Sequence, residues 1–131
     1  CDRLLKEGLT PVLLGTTSEG VITNQISAAY PEAINLTGKT SLFDLAAIGR
    51  LATVAIGNDT GPMHLIGAAG APSIVLFSGS SSPYLSAPIG PSVTSLQEGN
   101  LERLSVDKVW KAVISVLDPD AEADTLAPLT P

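Results

Sequence analysis

The chain has 131 residues, of which 44% are apolar and 4% aromatic, and its formal net charge is −6. This length suits one domain rather than two comparable ones, and the shortage of aromatic residues favours an α/β core of aliphatic side chains over a β-sandwich. No cluster of Lys or Arg is present, which argues against binding of nucleic acid or an anionic membrane surface, and four of the thirteen acids lie in the last fourteen residues, at Asp118, Asp120, Glu122 and Asp124.

The first third of the chain is predicted to contain two helices and two strands. Residues 1–8 have the pattern of the last two turns of a helix closed by Gly8, which argues against a mature lipoprotein with a polar tether after Cys1. The apolar run 11–15 predicts a buried parallel strand, and a polar turn at 16–19 then opens a weak helical segment that ends near residue 30. Residues 33–36 predict a second strand.

A third helix is predicted to begin at Ser41, because Ser41 and Asp44 match the capping pattern of a helix start. Apolar residues recur after it at helical spacing and predict one buried stripe: Leu42, Leu45, Ala46, Ile48 and Leu51.

The remainder of the chain continues the alternation of strands and helices. The predicted elements are a strand at 53–57, a helix at 62–69 that begins with Pro62 and ends at Gly70, a strand at 73–77, a Ser/Gly/Pro loop at 78–91, a weak edge strand at 92–96, an amphipathic helix at 106–117, and a disordered acidic tail at 118–131. This order predicts a mostly parallel sheet with right-handed crossovers. The loops after Gly15, Gly38, Gly57 and Phe77 are then expected to line one ligand crevice.

The densest chemical signal is Gly57-Asn58-Asp59-Thr60-Gly61-Pro62-Met63-His64-Leu65, at a strand-to-helix junction. Two glycines would allow close backbone approach, Thr60 offers a hydroxyl, and the free amides of the helix start can receive a diphosphate. The alternative is that Asp59 or Thr60 only caps the helix and His64 is an ordinary residue of its first turn. The residues alone leave both interpretations open.

Several segments in order give this chain a family resemblance: Gly38-Lys39-Thr40-Ser41-Leu42, Leu45-Ala46-Ala47, the junction segment above, Gly70-Ala71-Pro72 and Leu76-Phe77. Over residues 4–113 the chain resembles the C-terminal domain of the ADP-heptose:lipopolysaccharide heptosyltransferases, glycosyltransferase family 9. The resemblance implies the C-terminal, Rossmann-like half of a two-domain GT-B enzyme, which holds the nucleotide-sugar donor.

The resemblance also implies roles for individual residues. Asp59 would face the donor sugar, Thr60 and Gly61 the diphosphate, and His64 the phosphate or sugar side of the cleft. Glu19 matches a carboxylate that binds the ribose hydroxyls, although an acid is also favoured in the first turn of a helix. Thr40 and Ser41 would lie near the adenine. No catalytic residue, metal ligand or cofactor is expected within this chain.

The activity that the resemblance implies is transfer of a heptose or related sugar from an ADP-sugar to a lipopolysaccharide core acceptor. In the family the acceptor site and the catalytic base belong to the N-terminal domain, so this chain alone is expected to bind nucleotide weakly and to catalyse nothing. A cytoplasmic location is expected, with peripheral association at the inner face of the inner membrane left open for a full-length protein. The segment from Phe77 to Pro83 is longer and richer in Ser than the family pattern, so its contacts are not transferred.

The residues disfavour three other functions. A P-loop ending at Gly38-Lys39-Thr40 lacks its first glycine, because position 33 is Ala33. An aspartic protease is disfavoured because a Pro-initiated helix follows Asp59-Thr60-Gly61, and a metal site by the low number of ligands. The alternative that stays open is a non-catalytic α/β module that binds a nucleotide or a partner without turnover.

A further expectation concerns the edges of the sheet. In the family a first strand lies between those that match residues 12–14 and 54–56, whereas this sequence begins in the helix after it. Unpaired strand edges recruit other strands. We therefore expect either direct pairing of these two strands or pairing with a second chain, which would make a dimer.

Overall fold

The computed structural model describes residues 1–79 and 92–120, and its contacts divide the chain into two units, Cys1–Phe43 and Asp44–Pro131. The first unit contains helix α1 (Asp2–Lys6), strand β1 (Val12–Leu13), helix α2 (Gly20–Ala29) and strand β2 (Ile34–Asn35). Strands β1 and β2 are parallel, with Val12 opposite Ile34. A short 3-10 turn precedes α2, which packs on β2.

The end of α1 is set by Gly8, which has a φ of 78°. The Gly8 amide donates to the Leu5 carbonyl and the Leu9 amide to the Leu4 carbonyl, each at 3.0 Å. These two bonds form a Schellman motif, which satisfies carbonyls that the helix leaves without partners. The helix end predicted at Gly8 is therefore confirmed.

Helix α3 (Leu42–Leu51) begins at the boundary between the units, and the rest of the second unit alternates strands and helices. The elements are β3 (Ala55–Asn58), α4 (Gly61–Ala69), β4 (Ser73–Phe77), β5 (Val93–Gln97) and α5 (Val106–Leu117). The sheet has the order β3-β4-β5 and both pairings are parallel. The predicted α/β architecture with parallel strands and flanking helices is confirmed.

The core of the second unit is built around β4, the central strand of its sheet. Ile74, Val75 and Phe77 are fully buried, and Met63 of α4 packs with Val75 and Phe77. Val113 of α5 is also buried, and α5 contacts β4. An apolar strand buried on both faces is what crossovers on both sides of a parallel sheet require.

The predicted buried stripe of α3 is wrong in two of its five members. Leu42 and Leu51 are 71% and 86% exposed, and Leu45 is the one member of the stripe that is buried. The helix instead makes a close approach at Gly49, where a Cβ would lie 2.8 Å from the Ile66 carbonyl oxygen of α4. The face of α3 that packs on α4 is therefore the one that carries Gly49, because glycine has no side chain to hold the helices apart. Apolar spacing does not reveal such a position.

Two expectations about the sheet have different outcomes. Strands β1 and β3 belong to separate sheets, so the direct pairing expected between residues 12–14 and 54–56 is not among the described pairings. Pairing with a second chain stays a prediction, as does the single crevice shared by the four loops. The predicted loop at 78–91 beyond Gly79, and the tail beyond Asp120, lie outside the described residues.

Among residues 1–79 and 92–120, no helix has the length and apolarity that crossing a membrane requires.

Candidate functional site

The site predicted at the strand-to-helix junction lies where β3 ends and α4 begins. Thr60 is the N-cap residue of α4 and has extended backbone angles, with φ −140° and ψ 162°. Its side chain makes no capping hydrogen bond to the helix amides. The helix begins at Gly61, one residue before the predicted start, so Pro62 is its second residue instead of its first. Gly70, with φ 119°, closes the helix as predicted.

Helix α5 shows what a side-chain cap looks like in the same unit. The hydroxyl oxygen of its N-cap residue, Ser105, accepts a hydrogen bond from the Lys108 amide at 3.1 Å. Thr60 carries an equivalent hydroxyl and leaves it unused for this purpose. The geometry therefore does not support the alternative that Thr60 serves only as a side-chain cap.

The two glycines of this segment have different roles. A Cβ at Gly57 would lie 2.8 Å from both Cγ and Sδ of Met63, so Gly57 makes room for a side chain of the protein's own core. A Cβ at Gly61 would meet nothing within 4 Å, and Gly61 is exposed. Of the pair, only Gly61 fits the prediction of a backbone that a ligand can approach.

Asp59 and His64 form a direct contact across the start of α4. The Nε2 atom of His64 lies 3.1 Å from Oδ1 of Asp59, and the two side chains are 44% and 16% exposed, respectively. The His64 amide also donates to the Thr60 carbonyl at 3.1 Å, the first turn of the helix. The family resemblance implies a ligand contact for each of these residues, and the sequence does not predict their pairing.

Glu19 folds back on the loop that precedes α2. Its Oε2 accepts a hydrogen bond from the Thr16 amide, and the Thr16 hydroxyl lies 3.4 Å from the same oxygen. The Glu19 amide donates to the Thr16 carbonyl at 3.0 Å. The Glu19 side chain therefore supplies the carboxylate half of a capping box at the start of the 3-10 turn. Glu19 thus has a structural partner, and its ribose contact stays a prediction.

Two substitutions separate the two roles of Glu19. Glu19→Ala removes the cap and is expected to lower the free energy of unfolding by about 1 kcal/mol. Glu19→Gln retains an oxygen that accepts from Thr16, so it is expected to leave stability nearly unchanged while removing the charge. Urea unfolding measures the first effect and ADP titration the second. Equal stability of both variants would contradict the capping role, and Glu32→Ala, at an exposed acid of the same unit, serves as the control.

The loop that carries Thr40 and Ser41 is held against the Gly15–Glu19 loop within the first unit. The Gly38 amide donates to the Gly15 carbonyl at 2.8 Å. Gly38 has a φ of 71°, and a Cβ there would lie 2.7 Å from Cγ2 of Thr17. The structure therefore brings together two of the predicted ligand loops, while the roles of Thr40 and Ser41 stay predictions.

Among the described residues, each unit contains a cavity whose lining residues are mostly not predicted as site residues. The cavity of the first unit has a volume of about 240 Å³ and lies beside the hydrogen bond from Asn35 to Asn24. It is lined by mostly polar residues: Thr17, Gly20, Asn24, Asn35, Thr37 and Lys39. The cavity of the second unit has a volume of about 460 Å³ and begins at Asn58, at the end of β3. The rest of its lining consists mainly of apolar residues of β4, of the turn before α5 and of α5 itself. Asn35, which also accepts from the Thr37 amide at 3.1 Å, has the strand-end position typical of an Asx turn.

Within the described ranges, no three His, Cys, Asp or Glu side chains are grouped as a metal site would require.

Comparison with known proteins shows which proteins this chain is similar to. The sequence profile of glycosyltransferase family 9 (heptosyltransferase) matches residues 1–111. Lipooligosaccharide heptosyltransferase 2 of Haemophilus influenzae is 30% identical over 107 residues, covering 76% of this chain and 31% of that protein.

Two solved structures share the fold. E. coli ADP-heptose LPS heptosyltransferase II aligns with a TM-score of 0.80 at 23% identity, over 92% of this chain and 40% of its own. The family 9 glycosyltransferase of Veillonella parvula aligns with a TM-score of 0.68 at 26% identity, over 95% of this chain and 38% of its own. Both neighbours are GT-B glycosyltransferases, and this chain spans about two fifths or less of each relative.

Proposed function

This chain belongs to glycosyltransferase family 9, the heptosyltransferases, and from that membership we propose that it holds the nucleotide-sugar donor of such an enzyme. The proposed donor is an ADP-sugar that carries a heptose or a related sugar. The diphosphate would bind at the start of α4, with Asp59 on the sugar side, Glu19 at the ribose, and Thr40 and Ser41 near the adenine. The loops that carry these residues follow strands, where α/β folds bind ligands.

The unused cap of α4 is the observation that carries this proposal. The first amides of a helix point outward without intrahelical acceptors and carry partial positive charge, which favours an anion. Thr60 could satisfy one of them but does not, and neither Thr60 nor Gly61 is covered by protein. The apolar cavity that begins at Asn58 lies at the end of the same strand and has the size of a small-molecule pocket.

Titration of the chain with ADP, followed by amide NMR shifts, tests the proposal. We expect the largest shifts at Thr60, Gly61 and Met63, because their amides lie at the proposed diphosphate position. The last turn of α5, residues 114–117, is the control, because none of its residues lines the cavity that includes Asn58. Shifts that spare Thr60 and Gly61, or that appear equally at Ile114 and Leu117, would count decisively against the proposal.

The acceptor is proposed to be the lipopolysaccharide core, held by a second, N-terminal half as in the family's two-domain enzymes. The catalytic base would belong to that half, so the 131 residues alone are expected to bind donor and not to transfer it. Peripheral attachment to the inner membrane and association of two chains belong to the same proposal. ADP binding without transfer, in a protein that carries both halves, would favour the non-catalytic module instead.

A further inference from the structure

The contact between Asp59 and His64 spans the N-cap of α4 in a specific way. Asp59 immediately precedes the N-cap residue Thr60, and His64 is the fourth residue of the helix. These are the two positions that a hydrophobic staple uses to fix the angle at which a chain enters a helix. Here a carboxylate and an imidazole occupy them, so the staple is polar.

The protonation of the imidazole follows from this contact. A carboxylate oxygen only accepts hydrogen bonds, so Nε2 of His64 must carry the hydrogen that it shares with Oδ1 of Asp59. In the neutral ring the other nitrogen, Nδ1, then has a lone pair and no hydrogen. An unprotonated Nδ1 can only accept, and the oxygens of a diphosphate also only accept. The neutral ring therefore has nothing to donate to a diphosphate while it holds Asp59.

Resting on the function proposed above, we infer that His64 is a positioning residue: it holds the Asp59 carboxylate by Oδ1 and leaves Oδ2 for the donor sugar. The Asp59 side chain is 16% exposed, so part of its carboxylate stays accessible to a ligand, and the His64 side chain, which is 44% exposed, contacts it from the first turn of the helix. This role replaces the contact of His64 with the phosphate that the family resemblance implies, whereas Nδ1 can still accept a hydrogen bond from a sugar hydroxyl.

Two variants distinguish holding Asp59 from touching the ligand. Gln places its amide nitrogen near the position of Nε2, so His64→Gln retains a donor for Asp59. Asn places its amide near Nδ1 and is too short to reach Asp59, so His64→Asn retains only the ligand-facing possibility. The readout is the ratio of the dissociation constants of the chain for ADP and for ADP-heptose, measured by calorimetry, because the ratio isolates the contribution of the sugar. Thermal unfolding and the amide spectrum establish that both variants are folded.

We expect His64→Gln to keep this ratio within about threefold of the wild type and His64→Asn to reduce the preference for the sugar tenfold or more. In ¹⁵N spectra at a pH where the imidazole is neutral, we expect the proton on Nε2. A proton on Nδ1, the opposite order of the two variants, or equal behaviour of both would overturn the inference. In each of these cases the wild type still binds ADP at Thr60 and Gly61. Loss of that binding in the wild type would instead overturn the proposed function, and the inference with it.

Discussion

Asp59→Asn is expected to abolish most of the preference of this chain for an ADP-sugar over ADP. A hydrogen bond to a charged group contributes about 1.5–3 kcal/mol, so its loss corresponds to roughly a 10- to 150-fold drop in affinity for the ADP-sugar. Affinity for ADP alone is expected to stay equal or to rise, because a carboxylate beside the diphosphate repels it and the amide does not. Calorimetric titration with both ligands measures the two effects separately.

Asn is chosen because it is expected to leave the stability of the fold unchanged. Its side-chain oxygen still accepts from Nε2 of His64, so the staple across the start of α4 is retained in shape. Glu32→Gln, at an exposed acid of the first unit, is the control for a change in net charge. An equal loss of affinity for both ligands would contradict the placement of Asp59 on the sugar side, and a large loss of stability would favour a purely structural role.

Gly57→Ala is expected to lower the free energy of unfolding by about 1–3 kcal/mol, the usual cost of adding a methyl group to a well-packed core. The new Cβ would lie 2.8 Å from two atoms of Met63, which is itself packed against Val75 and Phe77 and has little room to move. Urea unfolding of the chain measures the loss. A change below about 0.5 kcal/mol would mean that Met63 finds another rotamer at small cost.

Gly61→Ala is the matched partner of this substitution, four residues away. Its Cβ enters open space, and Ala is a better helix former than Gly, so we expect unchanged or slightly raised stability. We also expect weaker ADP binding, since the methyl group would stand beside the proposed diphosphate. Unchanged ADP affinity would argue that no ligand approaches the backbone at Gly61, whatever the result at Gly57.

Parts of the fold were predictable because residues that end helices and strands bound them clearly in the sequence. Strand β4 was predicted with its observed ends, because a run of apolar residues is bounded by Pro72 on one side and by Ser78-Gly79 on the other. The end of helix α4 at Gly70 was also predicted, because glycine readily adopts the left-handed conformation that closes a helix. The exposed ends of α3 could not be foreseen, because apolar spacing does not reveal that the approach to α4 is made at Gly49.

The candidate site was predictable as a segment but not as a set of contacts. Sequence placed Asp59, Thr60 and Gly61 at a strand-to-helix junction, where the structure has them. It could not show that His64 turns toward Asp59, because both positions allow several rotamers and the choice depends on the angle at which the chain enters α4. It also could not assign Gly57 to the core, because that requires the path of the Met63 side chain.

The side-chain contacts of Asp59 and Glu19 join residues that are close in sequence. Asp59 is held by a residue five positions later, and Glu19 by one three positions earlier, so each loop that closes around them is small and costs little chain entropy to form. Such contacts can form as soon as their own helix does, without waiting for distant strands to pair. The geometry of the junction therefore places few demands on residues elsewhere in the chain. A junction built from such short loops can tolerate substitutions at distant positions of the chain as long as its own few residues are kept.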